Sequence, residues 1–314
     1  MSAERPTARP AVAGARRAAR VVTVAVALAG LLSGCGIVRP TAATVDGVRI
    51  SRDEVETTLR DLAEVGQVSL VGGIAPGDSV RGVLGALIQA EATRQLLAAR
   101  GEAVTNADRE AARDGMEAAG QLGTAPTHLE TLVLDINSAI AARGRLAAPG
   151  DDEARATYDR APAALGALCL RHLVVGSRDR ARELLDELRG GADFADVAAA
   201  HSDEPAAAST GGALEGPTGR CIALRELWSS FDPDFVAGAL AARAGVPSDP
   251  VRSSFGWHVI LVRPYEEVAD DLRAATAEDP GAALLDGLLA TADITVDSAY
   301  GRWNPAAGRV DANT

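Results

Sequence analysis

Lysine is missing from this chain of 314 residues, so all 31 basic residues are arginine. Alanine is abundant as well, a combination typical of GC-rich coding, and no single arginine is therefore taken as a sign of guanidinium chemistry. The 43 acidic residues leave a formal net charge of −12. Backbone phosphates repel such a surface unless a basic patch is segregated, and none is visible in the sequence. The charge therefore argues against a nucleic-acid partner.

Aromatic residues make up only 3% of the chain, although apolar residues reach 47%. A chain of this length and apolar content can bury a full core, so we predict one composite unit or two domains rather than a disordered chain. The sequence contains no internal repeat and no metal motif of the zinc-finger or ferredoxin type. We therefore expect no cofactor and no metal.

The N-terminal apolar run at residues 21–32 is shorter than the roughly 20 residues that span a bilayer. A stretch with three arginines precedes it, which is the layout of a secretory signal peptide over residues 1–34. The run ends in L-S-G-C, and this tetrad resembles the lipobox of bacterial lipoproteins, with Cys35 as its cysteine.

This resemblance implies that the signal is cleaved before Cys35 and that the cysteine receives a diacylglyceryl group. Acyl chains such as palmitate would then anchor the protein to the cell membrane, facing the extracytoplasmic side. Two alternatives stay open from the residues alone. The segment can be an uncleaved N-terminal anchor, or the cysteine can be there by chance.

The first part of the mature chain is predicted to be mainly helical. Residues 43–50 have apolar side chains at alternating positions around Asp46-Gly47, a pattern that predicts a small β-hairpin or strand. The helix signals after it are capping boxes that begin at Ser51, Thr105 and Thr127, and a helix from Ser79 to Arg100 that is closed by Gly101. We assign residues 35–160 to this helical region.

A separate α+β unit is predicted at residues 161–264, where the pattern changes to strand, helix, loop and strand. Residues 270–292 are then predicted to be helical, and residues 294–296 to form a terminal strand. That strand is expected to pair with the region of Val45. Residues 265–314 would then complete the helical region, with the α+β unit as an insertion.

Five motifs of the α+β unit resemble, in order and spacing, the signature of parvulin-type peptidyl-prolyl isomerases. They are R-H-L-V-V from Arg171, G-A-D-F-A from Gly191, S-D-E-P from Ser202, G-G-A-L from Gly211 and F-G-W-H-V-I from Phe255. The motifs follow one another at the spacing of the family, and together they extend the resemblance over about a hundred residues. It implies an FKBP-like parvulin domain that catalyses cis-trans isomerisation of X-Pro bonds.

The helical region begins A-x-V-D-G-x-x-I-S, which is similar to the chaperone portion of SurA- and PrsA-type foldases. This looser resemblance implies a SurA-like cradle for unfolded clients. The expected partners are therefore newly secreted or unfolded polypeptides that contain X-Pro bonds, and the membrane through the lipid anchor.

The parvulin resemblance also implies a set of site residues. The proline pocket would consist of Leu214, Phe231, Phe235 and Phe255, with Phe235 as the central contact; the alternative is that all four are simply core. His172 and His258 match the paired histidines of the family, which lie on neighbouring strands and share a hydrogen bond. We expect their role to be architectural rather than proton transfer.

The acidic position of the family falls on Glu204, where parvulins usually have Asp or Cys. Asp203 would replace it if the loop shifted by one residue, and a solvated acidic loop is a further alternative. The G-G-A-L-E run departs from the family pattern at Ala213 and Glu215, where a carboxylate and a glycine are usual. A non-catalytic holdase that keeps the fold is therefore the alternative to an active isomerase. The loop between Val175 and the helix at Ser177 is short and lacks an arginine cluster, which argues against selectivity for phosphorylated substrates.

Cys169 and Cys221 allow three interpretations. A disulfide suits an exported protein. Two free buried thiols stay possible. A zinc site with the two histidines is disfavoured, because residues three apart on a strand, such as Cys169 and His172, point to opposite faces.

Overall fold

Residues 40–216 and 219–313 are described by the structure, a computed structural model, and they begin with a β-hairpin. Strands β1 (Thr41–Val45) and β2 (Val48–Ser51) pair antiparallel around Asp46 and Gly47. Both turn residues have a positive φ, of 45° and 81°, as the favoured two-residue hairpin turn requires. The predicted hairpin is therefore confirmed. The signal peptide and Cys35 lie outside the described residues.

Five helices follow the hairpin. They are α1 (Arg52–Glu64), α2 (Gly77–Ala99), α3 (Asn106–Ala118), α4 (Thr127–Arg143) and α5 (Asp151–Arg160). Ser51 caps α1 by accepting from the backbone N–H of Glu54 at 3.1 Å. The capping box of Thr105 and Asp108 at the start of α3 is complete in both directions. Among residues 40–216 and 219–313, no helix combines the length and the apolar character needed to cross a bilayer.

The capping box predicted at Thr127 is wrong. Helix α4 does begin there, but its N-cap is Pro126, which makes no side-chain hydrogen bond to the helix. The carboxylate of Glu130 instead accepts from the backbone N–H of Thr124, at 3.1 Å, before the helix. Glu130 therefore binds the preceding turn, because that turn brings its free N–H groups within reach.

The α+β segment contains a short 3₁₀ turn at Pro162–Leu165, five strands and five helices. The strands are β3 (Ala167–Leu168), β4 (Leu170–Val175), β5 (Ile222–Ala223), β6 (Val251–Ser253) and β7 (Gly256–Val262). The helices are α6 (Arg178–Arg189), α7 (Phe194–His201), α8 (Ala207–Thr210), α9 (Leu224–Ser230) and α10 (Pro233–Ala241). Together they confirm a mixed α+β fold.

The central sheet of this segment has the order β4-β7-β6, with both pairs antiparallel. In its register His172 lies opposite Ile260, and Val174 lies opposite His258. Side chains alternate between the two faces of a strand, so both histidines lie on the same face. Leu173, Val175 and Val259 lie on the other face, in the cluster that packs under α6 and α7.

The C-terminal part contains helices α11 (Tyr265–Thr276) and α12 (Pro280–Thr291), followed by strands β8 (Ile294–Val296), β9 (Arg302–Asn304) and β10 (Arg309–Asp311). The prediction of a single helix over 270–292 is wrong, since Pro280 has no backbone N–H and starts a second helix. The hairpin of β9 and β10 was not expected from the sequence.

The first strand and a strand of the C-terminal part meet in one small sheet. Strand β8 pairs antiparallel with β1, with Ile294 opposite Val45. The predicted pairing of the terminal strand is therefore confirmed. Helix α12 also bridges the two parts, because its buried Asp286 accepts a hydrogen bond from Arg225 of α9 at 2.5 Å. The residues described from 40 onward form one compact unit, so the domain boundaries at 160/161 and 264/265 stay a prediction.

Cys169 and Cys221 form a disulfide between the residue before β4 and the residue before β5. Both cysteines are completely buried, at 0% and 1% exposure. The bond closes a loop with a sequence separation of 52 residues. It ties the strand that carries His172 to the segment that follows Leu214.

We expect the double variant Cys169→Ala/Cys221→Ala to lose about 4 kcal/mol of unfolding free energy at 25 °C, because the crosslink restricts the unfolded chain. Urea denaturation of the variant and of the oxidised wild type measures the difference. A reduced wild type should resemble the variant. Equal stability of all three forms would contradict a stabilising crosslink.

Candidate functional site

A cavity of about 420 Å³ opens on the sheet face that carries the two histidines. Seven of its lining residues are the predicted site residues: His172, Glu204, Leu214, Phe231, Phe235, Phe255 and His258. The structure therefore brings together every residue that the parvulin resemblance assigned to catalysis or to proline binding. Their individual roles stay proposals.

Phe235 forms the floor of the cavity. It projects from the first turns of α10 and is 3% exposed. Its ring meets both imidazoles edge-on, at centroid distances of 5.3 Å from His172 and 5.1 Å from His258. Phe231 stacks on it from the other side, at 5.8 Å. Phe235 thus contacts both histidines and Phe231.

Phe255 occupies a different position. It lies in the turn between β6 and β7 and is 79% exposed, so it borders the mouth of the cavity rather than its interior. A phenyl ring this exposed gains little from burial within the protein itself. Phe255 is therefore not a core residue, which was the alternative open from the sequence.

Leu214 is held in the cavity wall by backbone contacts. Its N–H donates to the carbonyl of Leu170 at 3.0 Å, and the N–H of His172 donates to the carbonyl of Gly212 at 2.8 Å. Gly212 has a φ of 73°, and a side chain there would overlap the carbonyl oxygen of His172. The loop needs glycine at this position. Among the described residues outside glycine, only Asp46 has a positive φ, so Glu215 has ordinary backbone geometry despite replacing a glycine of the family pattern.

The two histidines belong to a chain of polar contacts. Nδ1 of His172 lies 3.2 Å from Nδ1 of His258. Nε2 of His258 lies 2.7 Å from the hydroxyl of Ser253, which in turn accepts from the N–H of Phe255 at 3.0 Å. At the other end, Nε2 of His172 lies 2.6 Å from Oε2 of Glu204. That last contact lies off the direction of a hydrogen bond, so it is electrostatic in character.

The carboxylate of Glu204 determines which atoms donate and which accept along this chain of polar contacts. A neutral imidazole has one N–H and one lone pair, and an N–H facing Glu204 is favoured over a lone pair. His172 then carries its proton on Nε2 and accepts at Nδ1 from His258. His258 accepts at Nε2 from the hydroxyl of Ser253. The network therefore fixes both tautomers and orients both rings.

Both imidazoles are neutral at neutral pH. Burial, followed by the neighbouring His172, lowers the pKa of His258 from 6.5 to about 4, against a smaller opposing effect of Asp232. Burial also lowers the pKa of His172, while the Glu204 carboxylate acts in the opposite direction. The pair is therefore better suited to orient groups than to transfer protons near pH 7.

Among the lining residues that were not identified from the sequence, Ser253 and Asp232 make hydrogen bonds that organise the site. Ser253 ends the histidine chain, and Asp232 accepts from the hydroxyl and the N–H of Ser254, at 2.7 and 3.1 Å. Asp232 also caps α10, so it joins the helix of Phe235 to the turn of Phe255. The Asp-Pro pair at the start of α10 was a readable N-cap signal. Ser253 had no comparable local signal.

The low pKa of His258 makes stability depend on pH. Between pH 6.5 and about 4 the unfolded chain binds a proton at His258 that the folded chain does not, so the free energy of unfolding falls as pH is lowered through this window. Above pH 6.5 this contribution to stability is fully present. We expect the fall to be shallower in His258→Asn when urea denaturation is measured from pH 7 to about 4.

His201→Asn is the control for this experiment, because His201 is an exposed histidine of the same domain. It should keep the wild-type dependence on pH. A slope in His258→Asn equal to that of the wild type would contradict the lowered pKa.

Comparison with known proteins places this site in a known domain. Residues 176–264 match the rotamase family described as the PPIC-type PPIASE domain. The foldase protein PrsA of Clostridium kluyveri is 39% identical over 98 residues, which cover 31% of this chain and 27% of that protein. The PrsA of Halalkalibacterium halodurans is 32% identical over 157 residues, 46% of this chain and 43% of the relative. A crystal structure of PrsA from Bacillus subtilis aligns with a TM-score of 0.28 and 18% identity, over 82% of this chain and 95% of that one.

The chain spans less than half the length of these curated relatives. The matched residues begin directly after β4. They include Glu204, His258 and the three phenylalanines of the cavity, but not His172. The chain therefore contains a PPIC-type peptidyl-prolyl isomerase domain, and part of the chain is homologous to PrsA foldases.

Proposed function

We propose that this protein is a membrane-anchored extracytoplasmic foldase, which isomerises X-Pro bonds and holds unfolded secreted proteins. The observation that carries the proposal is the cavity in which Leu214, Phe231 and Phe235 face the paired imidazoles of His172 and His258. The homology of part of the chain to PrsA foldases supports it.

The reaction needs no covalent intermediate. Rotation about an X-Pro bond meets a barrier of about 18–20 kcal/mol, because the C–N bond has double-bond character. A protein lowers this barrier when it binds the twisted amide more tightly than either planar form. The apolar wall holds the prolyl ring, and closure of the cavity around it removes water from the amide carbonyl.

Glu204 is the group we assign to the amide itself. Its side chain is 37% exposed, so it contacts His172 and still faces the cavity. A planar amide carries partial negative charge on its oxygen, which the twisted amide largely loses. A carboxylate near that oxygen therefore disfavours the planar forms more than the twisted one. His172 and His258 orient this group and the floor of the pocket.

A holdase without isomerase activity is the second candidate, and the change at Ala213 favours it. This position lacks the carboxylate usual in the family pattern, but the same loop still holds Leu214 in the wall through the bond to Leu170. Suppressed aggregation of a client without faster isomerisation would support the holdase.

We expect Phe235→Ala to lower kcat/KM for X-Pro isomerisation by about tenfold or more, because the ring supports both the prolyl site and the two imidazoles. The measurement is the refolding rate of a client protein that is limited by a proline isomerisation. The substitution also costs about 3–5 kcal/mol of stability, so folding of the variant has to be verified by circular dichroism.

Phe194→Ala is the matched control. Phe194 is similarly buried, at 6%, but it lies in α7 under the other face of the sheet. It should lose stability while keeping its activity when folded. Equal losses of activity in both variants would mean that Phe235 acts through stability alone.

The lipid anchor is supported by the L-S-G-C motif at Cys35. We expect the chain to incorporate a radiolabelled fatty-acid precursor when it is expressed in a bacterium with lipoprotein-processing enzymes. Cys35→Ala should abolish the label and release the protein from the membrane fraction, since acyl chains supply about 0.8 kcal/mol per buried methylene. Unlabelled wild-type protein would contradict the anchor.

A further inference from the structure

The lining of the catalytic cavity carries charge of one sign. Three of its residues are carboxylic acids, namely Asp203, Glu204 and Asp232, and none of the described lining residues is an arginine. The histidines add no positive charge, because burial lowers the pKa of both. A peptide bound here therefore meets a negative potential.

The arginines of strands β4 and β6, Arg171 and Arg252, lie on the other face of this sheet. Arg252 pairs with Trp257 across β6 and β7, and its guanidinium stacks on the indole ring at 6.0 Å. Arg178 stacks on the same ring at 5.4 Å. Arg171 donates to the carbonyls of Thr210 and Gly211, at 3.0 and 2.9 Å. Because side chains alternate along a strand, Arg171 and Arg252 cannot face the cavity that His172 and Ser253 face.

The three carboxylates differ in how far the protein itself uses them. Asp232 accepts hydrogen bonds from Ser254, which lower its pKa and keep it ionised. Glu204 contacts His172. Asp203 is exposed, and among the described residues only its backbone is hydrogen-bonded, from its N–H to the carbonyl of Val174 at 2.8 Å. Asp203 is therefore the carboxylate most available to a substrate side chain.

We propose that the cavity selects peptides in which a lysine or arginine immediately precedes the isomerised proline, with Asp203 as a specificity-determining residue. This inference rests on the proposed isomerase function. A cationic neighbour gains Coulomb energy from the carboxylates, and an acidic neighbour is repelled by them. The charges face solvent, so the preference is moderate and weakens with salt.

The test compares peptides of the form Ala-Xaa-Pro-Phe in which Xaa is Lys, Ala or Glu. Isomerisation by the full chain is measured by NMR exchange spectroscopy, which avoids the cleavage preference of a coupling protease. We expect kcat/KM to fall in the order Lys, Ala, Glu, with a ratio of about tenfold between Lys and Glu at low salt. The ratio should shrink in about 0.5 M salt.

Asp203→Asn should reduce the Lys-to-Glu ratio by about threefold, mainly through KM. Asp186→Asn is the matched control, because Asp186 is an exposed aspartate of α6 that does not line the cavity. It should keep the wild-type ratio.

The outcomes separate the two proposals. Catalysis of all three peptides at equal kcat/KM would overturn the charge preference and leave the isomerase function standing. A preference that survives unchanged in Asp203→Asn would overturn the assignment to Asp203. No acceleration of any peptide would overturn the isomerase function and the inference together.

Discussion

The site depends on the register between β4 and β7. His172 and His258 come from opposite strands, and they share a face only because Val174 lies opposite His258 in the antiparallel ladder. A slip of one residue would turn one histidine to the other side of the sheet. It would also bring the arginine-bearing face towards the cavity. The same pairing thus sets the histidine contact and the sign of the charge in the cavity.

Three separate segments around this sheet complete the cavity. The Gly211-Gly212 loop presents Leu214, the cap of α10 by Asp232 presents Phe235, and the β6–β7 turn presents Phe255. Two imidazoles in a buried position would be costly without partners, and their contacts with each other and with Ser253 reduce that cost. The Cys169–Cys221 disulfide fixes the strand to the loop segment that shares this wall.

Local signals in the sequence predicted much of the fold. The Asp46-Gly47 turn and the Thr105 capping box depend on contacts within a few residues, and both occur as expected. Two of the wrong or missing predictions have a common cause. Glu130 found a donor in the turn before its helix, and the hairpin of β9 and β10 packs against the helical core through Trp303 and Val310. Those outcomes depend on neighbours that periodicity does not reveal.

The sequence by itself determined most of the chemical groups that the site contains, because the parvulin motifs stand in order along about a hundred residues. It also determined that the ends of the described chain carry strands able to pair. Only the tertiary structure decided that Glu204 rather than Asp203 meets His172, that the cysteines form a disulfide, and that arginines and carboxylates lie on opposite faces. These are contacts between residues far apart in the chain, as the sequence separation of 86 between the two histidines illustrates. Such contacts follow from strand register and packing, which no local pattern encodes.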